Sequence, residues 1–484
     1  MRFLTSGRQQ LCVYVSSRLR YNIPTGKAMS TFLKANLLNK RIKSIQDLHG
    51  YFQAYAKPQS QAKIGIECEV FSVFKDTGMP LPYSGKISIE RVLHELAYEF
   101  GYEPILDDSH VIALQRGGTV ISLEPGGQVE LSAEPTEDLH QVKIQLEEFF
   151  FQLKTISHFV GPISWIASGV HPFAFLEDIQ WVPKTRYQIM ASYLGSRGKK
   201  AYDMMKRTAT NQLNLDYSSE KDAIQKMRLS LALTPIAAAM FANSSISHGK
   251  VTGFLTERLN IWRYTDPERC GLILDLICQH CSFEDYLNYV LDVPMMFLVR
   301  SGKWLMVRNL TFRKFIEKGY QHHFPTQTDF ELHLSTIFTD ARFKQYMEIR
   351  GMDGQRRHLI PSVFAFWKGI LYDNEAQADA VGLIRHFNER EIKKLHQDVE
   401  RQGMRAKIGK YQVLELAREL TKISQKGLHR QELLDDKGQD EAIYLEPLKK
   451  EILATGSTPA EQTVELWNGP FKRKRQALID YLSI

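Results

Sequence analysis

Residues 119–132, Thr-Val-Ile-Ser-Leu-Glu-Pro-Gly-Gly-Gln-Val-Glu-Leu-Ser, set two short alternating runs on either side of Pro125-Gly126-Gly127. Alternation at period two around a strong turn signal is a β-hairpin, and a hairpin makes its strands antiparallel neighbours. The segments around it obey the same logic. Ala62–Phe74 alternates with β-branched residues and predicts a strand, as do Lys206–Tyr217 and the stretch near Ile163–Val170. Ile87–Gly101, Glu137–Val160 and Ser219–Phe241 carry apolar residues at spacings of three and four and predict helices, the last opened by the cap pattern Ser218-Ser219-Glu220. Residues 29–60 predict a short helical lead, and helical patterns dominate from Phe312 onward. Hairpin-linked strands between long helices define the α+β class, a mainly antiparallel sheet with helices packed against it. The expected organisation is a basic extension over 1–46, a catalytic body over 47–372 and a helical C-terminal region over 373–484.

The formal charge of +7 is unevenly placed. Residues 1–46 hold nine Lys or Arg and no acid, which leaves 53 basic against 55 acidic side chains in the remainder. A body without net positive charge gives no footprint for nucleic acid. The acid-free start matches either a transit peptide or an extension upstream of Met29, and a cytoplasmic location is expected. The apolar stretch Leu229–Ala242, broken by Ser230, Thr234 and Pro235, is too short to span a bilayer. Five cysteines in 484 residues are not a secreted disulfide framework. Cys278-Gln-His-Cys281 has no second pair to complete a zinc site, so two thiols on adjacent turns of one helix are expected there.

Chemistry concentrates on the acidic strands. Glu67 and Glu69 lie two apart on a strand and share one face, with Ile66, Cys68 and Val70 on the other. Gln128 and Glu130 share a face by the same rule, and Glu124 meets them across the turn. Converging carboxylates repel unless divalent cations compensate them, and oxygen-only ligands suit Mg²⁺ or Mn²⁺. Arg186, Arg207, Arg258 and Arg269 are candidate cations for phosphate or carboxylate. There is no Gly-x-x-x-x-Gly-Lys-Ser/Thr and no Gly-x-Gly-x-x-Gly after a strand, so a nucleotide must be held through metal and side chains.

The blocks IGIECEVF, SLEPGGQVELS, PKTRYQIM, DMMKRTATNQLNLDYSSE, LALTPIAAAMFANS, TDPERCG, LDVPMMF, EIRGMDG, PSVFAFWKGILYD and ILATGSTPAE occur in this order between about residues 50 and 470. Together they resemble glutamate–cysteine ligase of the plant and proteobacterial type. The resemblance implies a sheet curved into an active-site funnel and ATP-dependent joining of L-glutamate to L-cysteine. It implies Glu67, Glu69, Glu124, Gln128 and Glu130 as metal positions, Arg258 and Arg207 as catalytic residues, and Arg186, Arg258, Trp262 and Met296 as substrate-binding residues. Met296 stands where family members often show Tyr. Two other readings remain open at this stage: a γ-glutamyl ligase for a different amine, and a silent binding protein on the same scaffold. The partners expected are small molecules only, in a monomer or homodimer.

Overall fold

The computed structural model describes residues 40–277 and 280–484. Cys12, Met29, Cys278 and most of the expected basic extension lie outside them. Of that extension, residues 40–46 are described, and Ile42 is already buried, its N–H donating to the Pro325 carbonyl at 2.9 Å. The lead after it forms three short 3₁₀ turns, Ile45–Leu48, Gln53–Tyr55 and Gln59–Gln61, rather than a regular helix.

Nine strands build the main sheet: β1 Ile64–Phe74, β2 Glu103–Asp107, β3 His110–Arg116, β4 Thr119–Leu123, β5 Val129–Ser132, β6 Ile163–Ile166, β7 Asn211–Leu215, β8 Ala341–Phe343 and β9 Met347–Ile349. Their order is β8-β9-β7-β1-β5-β4-β3-β2, and every pairing is antiparallel. β1 lies between β7 and β5 in its first half and pairs with β6 in its second. The expected α+β class and antiparallel sheet hold.

Period-two alternation decides what each face meets. Ile64, Ile66, Cys68, Val70, Val129, Leu131, Leu213, Leu215, Phe343, Met347 and Ile349 are buried in one core. Helices α1 (Leu139–Val160) and α2 (Glu220–Met240), together with the Ile360–Leu371 helix, pack on the strands that carry them. These helices start where side chains satisfy their first N–H groups: Asp138 accepts from Gln141 and Ser219 from Asp222. The Pro-Gly-Gly turn is as tight as its sequence requires. Gly127 has φ +81°, and a Cβ on Gly126 would overlap the Lys206 carbonyl.

Three expectations change. The strand expected over Lys206–Tyr217 is a helix end followed by β7, since Lys206 and Arg207 finish the helix Ala201–Arg207. Beyond Phe312, where helical patterns were expected to dominate, β8 and β9 form a strand hairpin. Cys281 precedes the helix Phe283–Asp292 and is disulfide-bonded, so it is not a free thiol on that helix.

The C-terminal region is helical as expected, and its last residues also reach the sheet. Leu482 and Ile484 pair with β6 through Ala167 N–H to Leu482 O and Ile484 N–H to Trp165 O, both 3.0 Å. Glu441 forms a buried ion pair with Lys368 at 2.6 Å. Among the described residues no helix is long and apolar enough to cross a membrane.

Candidate active site

The polar face of the sheet carries two charged groups with β7 between them. On the acidic side, Glu69 of β1 stands directly opposite Glu130 of β5, and Glu67 opposite Ser132. These carboxylates have neutral partners. Glu69 accepts from the Thr210 N–H at 3.1 Å and from Gln212 at 3.3 Å, Glu130 from the Ser122 and Ser132 hydroxyls at 3.1 Å each, and Glu67 from Asn214 at 3.1 Å. Burial first, then the charges of Glu67 and Glu124, push the Glu130 carboxyl up to about 8. Burial, Glu124 and Glu130 hold Glu69 well above the usual carboxylate range despite Arg258 and Arg350. Burial and Glu348 raise Glu67.

On the other side of β7, the β8–β9 hairpin is cationic. Glu348 is fully buried and ion-paired with Arg342 at 2.7 Å, with Lys344 at 2.7 Å and with Arg350. Burial alone would raise its pKa, but Arg342, Lys344 and Arg350 hold it well below the usual range. Arg350 donates to Gln212 Oε1 at 2.6 Å, and Gln212 donates in turn to Glu69.

Arg258 reaches the same place from the helix Glu257–Arg263, which Thr256 caps by accepting from Leu259 N–H. Its Nη2 donates to the Arg350 carbonyl at 3.0 Å while its buried Nε has no protein partner. Ser244 Oγ accepts from Arg258 N–H and donates to Asp353, which also accepts from Thr256, so a buried carboxylate braces the start of this helix. The guanidinium groups of Arg258 and Arg350 each lie 5.6 Å from the Trp262 ring, whose buried Nε1–H is also without a partner. Arg186 donates to the Ser335 hydroxyl at 3.0 Å. Lys184 is pushed down to about 8 by burial and Arg186, against the pull of Glu124, Glu130 and Asp107. Tyr187 donates to Glu124 at 3.4 Å.

Glu67, Glu69, Glu124, Glu130, Arg186, Arg258 and Trp262 thus fall in one neighbourhood. The side chains of the other candidates are taken up by structural partners. Gln128 clamps the turn, accepting from Gly126 N–H at 3.0 Å and donating to the Thr208 carbonyl at 2.7 Å. Arg207 is buried against Asp203 at 2.6 Å and Ser247, at the end of a helix instead of on a strand. Arg269 is fully buried and bound to Asp266, Thr336, Pro294 and Tyr193. Met296 is buried in the apolar core. Residues that the sequence reading did not single out are Lys184, Arg342, Lys344, Glu348, Arg350 and Asp353; Arg-x-Lys at 342–344 and Glu-x-Arg at 348–350, both at period two, were the available signal. Two cavities, of about 610 and 500 Å³, lie elsewhere, around Phe254 and Val464 and around Arg228 and Arg390. Neither touches this cluster, and the charge arrangement is the better guide to chemistry.

The donor set is all oxygen and starved of cations. Among the described residues no three His, Cys, Asp or Glu side chains close on one point, so a four-carboxylate cage is not assembled. Mg²⁺ does not require one: one or two carboxylates serve when substrate phosphates and waters complete its shell. The facing pair Glu69 and Glu130 fits that requirement.

An acidic pair and a set of guanidinium groups on one face of an antiparallel sheet define a site for anionic substrates, of the kind used to move phosphoryl groups. The chain belongs to glutamate–cysteine ligase family 2, whose sequence pattern it matches over residues 63–477, and it is accordingly an enzyme of that type. It is 37% identical to the chloroplastic glutamate–cysteine ligase of Brassica juncea over 427 residues, covering 88% of this chain and 81% of that protein. It is 36% identical to the chloroplastic enzyme of Arabidopsis thaliana over 427 residues, with 88% and 80% covered. The fold is shared with a crystal structure of glutamate–cysteine ligase from Francisella tularensis in complex with AMP, at a TM-score of 0.55, 12% identity and 87% coverage of both chains. The expected cytoplasmic location is overturned by these plant relatives, which are named chloroplastic.

Proposed function

We infer that this chain joins the γ-carboxylate of L-glutamate to the amine of L-cysteine with ATP, giving γ-glutamylcysteine, ADP and phosphate. The observation that carries the reading is the facing of Glu69 and Glu130 across β1 and β5, with Arg258 and Arg350 on the same sheet face. The relatives' names and the AMP bound to the Francisella tularensis enzyme support it.

A carboxylate is a poor acyl donor. The γ-phosphoryl of ATP is therefore transferred first to the glutamate γ-carboxylate, forming an acyl phosphate and releasing ADP. The cysteine amine then attacks that carbonyl, loses its proton and expels phosphate. Arg258 and Arg350 neutralise the phosphoryl oxygens in both steps, and their position over Trp262 keeps them aimed. Glu69 and Glu130, with Glu67 and Glu124 nearby, would hold Mg²⁺. Bound there, it supplies charge neutralisation at the phosphates. Arg186 is placed to receive a substrate carboxylate through its fork of donors.

The test is phosphate release by the purified protein. Release that requires ATP, glutamate and cysteine together, and that stops on chelation of divalent ions, supports the reading. Release with another amine in preference to cysteine assigns a different acceptor.

A further inference from the structure

The helix Glu257–Arg263, which carries Arg258, is seven residues long, too short to keep its shape and rotation without packing. At about 3.6 residues per turn, Arg258 and Trp262 share one side of it, and Asn260 and Arg263 share the opposite side. That back side is held by Glu400, 2% exposed, from the helix Glu389–Gln402 of the C-terminal region. The Glu400 carboxylate accepts from Asn260 Nδ2 at 3.0 Å and from Arg263 Nε and Nη2 at 2.7 and 2.6 Å. Its backbone carbonyl accepts from Leu255 N–H at 2.7 Å and Thr256 N–H at 3.2 Å, just ahead of the short helix. One turn earlier, His396 meets Asp340 at 2.8 Å, and the Asp340 carbonyl accepts from Arg350 N–H at 2.9 Å. The segments that carry Arg258 and Arg350 are thus both tied to one helix. Apolar packing would dock a short helix equally well. What a carboxylate–guanidinium fork adds is a single allowed rotation and distance, because its two parallel bonds form in one plane.

We propose that Glu400 is a positioning residue for Arg258: it clamps the back of the 257–263 helix and so fixes the angle at which Arg258 meets the migrating phosphoryl group. Glu400 itself lies behind that helix, away from the reacting atoms. A determinant of activity then stands outside the 47–372 body to which the sequence reading assigned catalysis. The inference rests on the reading of Arg258 as a stabiliser of phosphoryl transfer.

The test is phosphate release with ATP, glutamate and cysteine, on protein shown to be folded by circular dichroism. Glu400→Gln keeps the side-chain volume and one acceptor but loses the fork, and its kcat should fall about tenfold, the scale of a small misplacement of a stabilising group. ADP binding with Mn²⁺, followed by titration calorimetry, should stay within about threefold of wild type, since ADP has no phosphoryl group to transfer. A general loosening of the fold would weaken both. Arg263→Lys breaks the clamp from its partly exposed partner, where one ammonium replaces the fork, and should lower kcat by about threefold to tenfold. The double variant Glu400→Gln/Arg263→Lys should fall no further than Glu400→Gln alone, because both changes remove the same clamp. Wild-type kcat in folded Glu400→Gln overturns the proposal, as does an ADP affinity that falls in step with kcat. If Glu400→Gln does not fold, Arg263→Lys decides alone: wild-type kcat there overturns it. An unchanged kcat in Arg258→Lys overturns the reading of Arg258 on which the proposal rests. A wild type that binds ADP with Mn²⁺ yet releases no phosphate with glutamate and cysteine overturns the ligase reading instead.

Discussion

The two charged halves of the sheet face differ in how they balance themselves. On β8–β9 a buried carboxylate, Glu348, is enclosed by Arg342, Lys344 and Arg350 and stays ionised. On β1 and β5, Glu69 and Glu130 have only amides, an N–H and hydroxyls for partners, and their affinity for protons rises. Burial acts the same way on both; the supply of cations does not. The cationic half is complete as folded, whereas the acidic half is stable in charged form only when something positive arrives. An enzyme that must release its metal–nucleotide product gains from leaving that half incomplete.

The comparison breaks most severely at Glu130. Replacing it with Gln removes one of the two facing carboxylates, and kcat at ordinary Mg²⁺ should fall by about a thousandfold, while the metal-free protein keeps or gains thermal stability because repulsion is relieved. Wild-type turnover in this variant would show that the facing pair holds no metal. Arg258→Lys probes the cationic side: a lysine cannot reproduce the two-pronged grip on a phosphoryl group, so kcat and kcat/KM should drop together by about a hundredfold. A change confined to KM would limit Arg258 to ground-state binding of substrate.

A pH series sharpens the contrast. Because the folded Glu130 carboxyl titrates near 8, above its unfolded value, the folded state binds more protons between the two, and stability falls as pH rises through that window. Without metal, the Tm of the wild type should fall relative to Glu130→Gln between pH 5 and 8, and Mg²⁺ with nucleotide should close the gap. Parallel curves would place Glu130 in a solvated setting. The smallest effect is expected at Gln128→Met. Losing the clamp strands the Thr208 carbonyl and the Gly126 N–H, which costs about 1–3 kcal/mol in denaturant unfolding, while kcat of the folded fraction stays within about threefold. A collapse of kcat would return Gln128 to the metal site.

The acidic half was legible from sequence because its strands alternate cleanly and its turn is Pro-Gly-Gly. Glu67 and Glu69 could be assigned a face before any coordinates, and Cys68 lies buried on the other as expected. The cationic half was hidden by its brevity. β8 and β9 have three residues each, too few for a period of two to stand out from a helical background. Glu348, Arg342 and Arg350 look like surface charges in a sequence, since charged side chains are seldom fully buried. The reverse error occurred at Lys206–Tyr217, where alternation ran on through Lys206 and Arg207 although hydrogen bonding there is helical. Local pattern does not record where a helix stops.

The pairing of Leu482–Ile484 with β6 has a consequence for how the chain is made. β6 is laid against β1 early in the sequence, yet among the described residues its outer edge is covered by Leu482–Ile484, more than three hundred positions later. During synthesis that edge is an open row of hydrogen-bonding groups, a template for pairing with another nascent chain. This edge of the sheet cannot close before Leu482–Ile484 have been made, which makes its completion a late, long-range event. A tag fused directly to Ile484 should therefore lower the yield of soluble protein more than it lowers the activity of the molecules that fold.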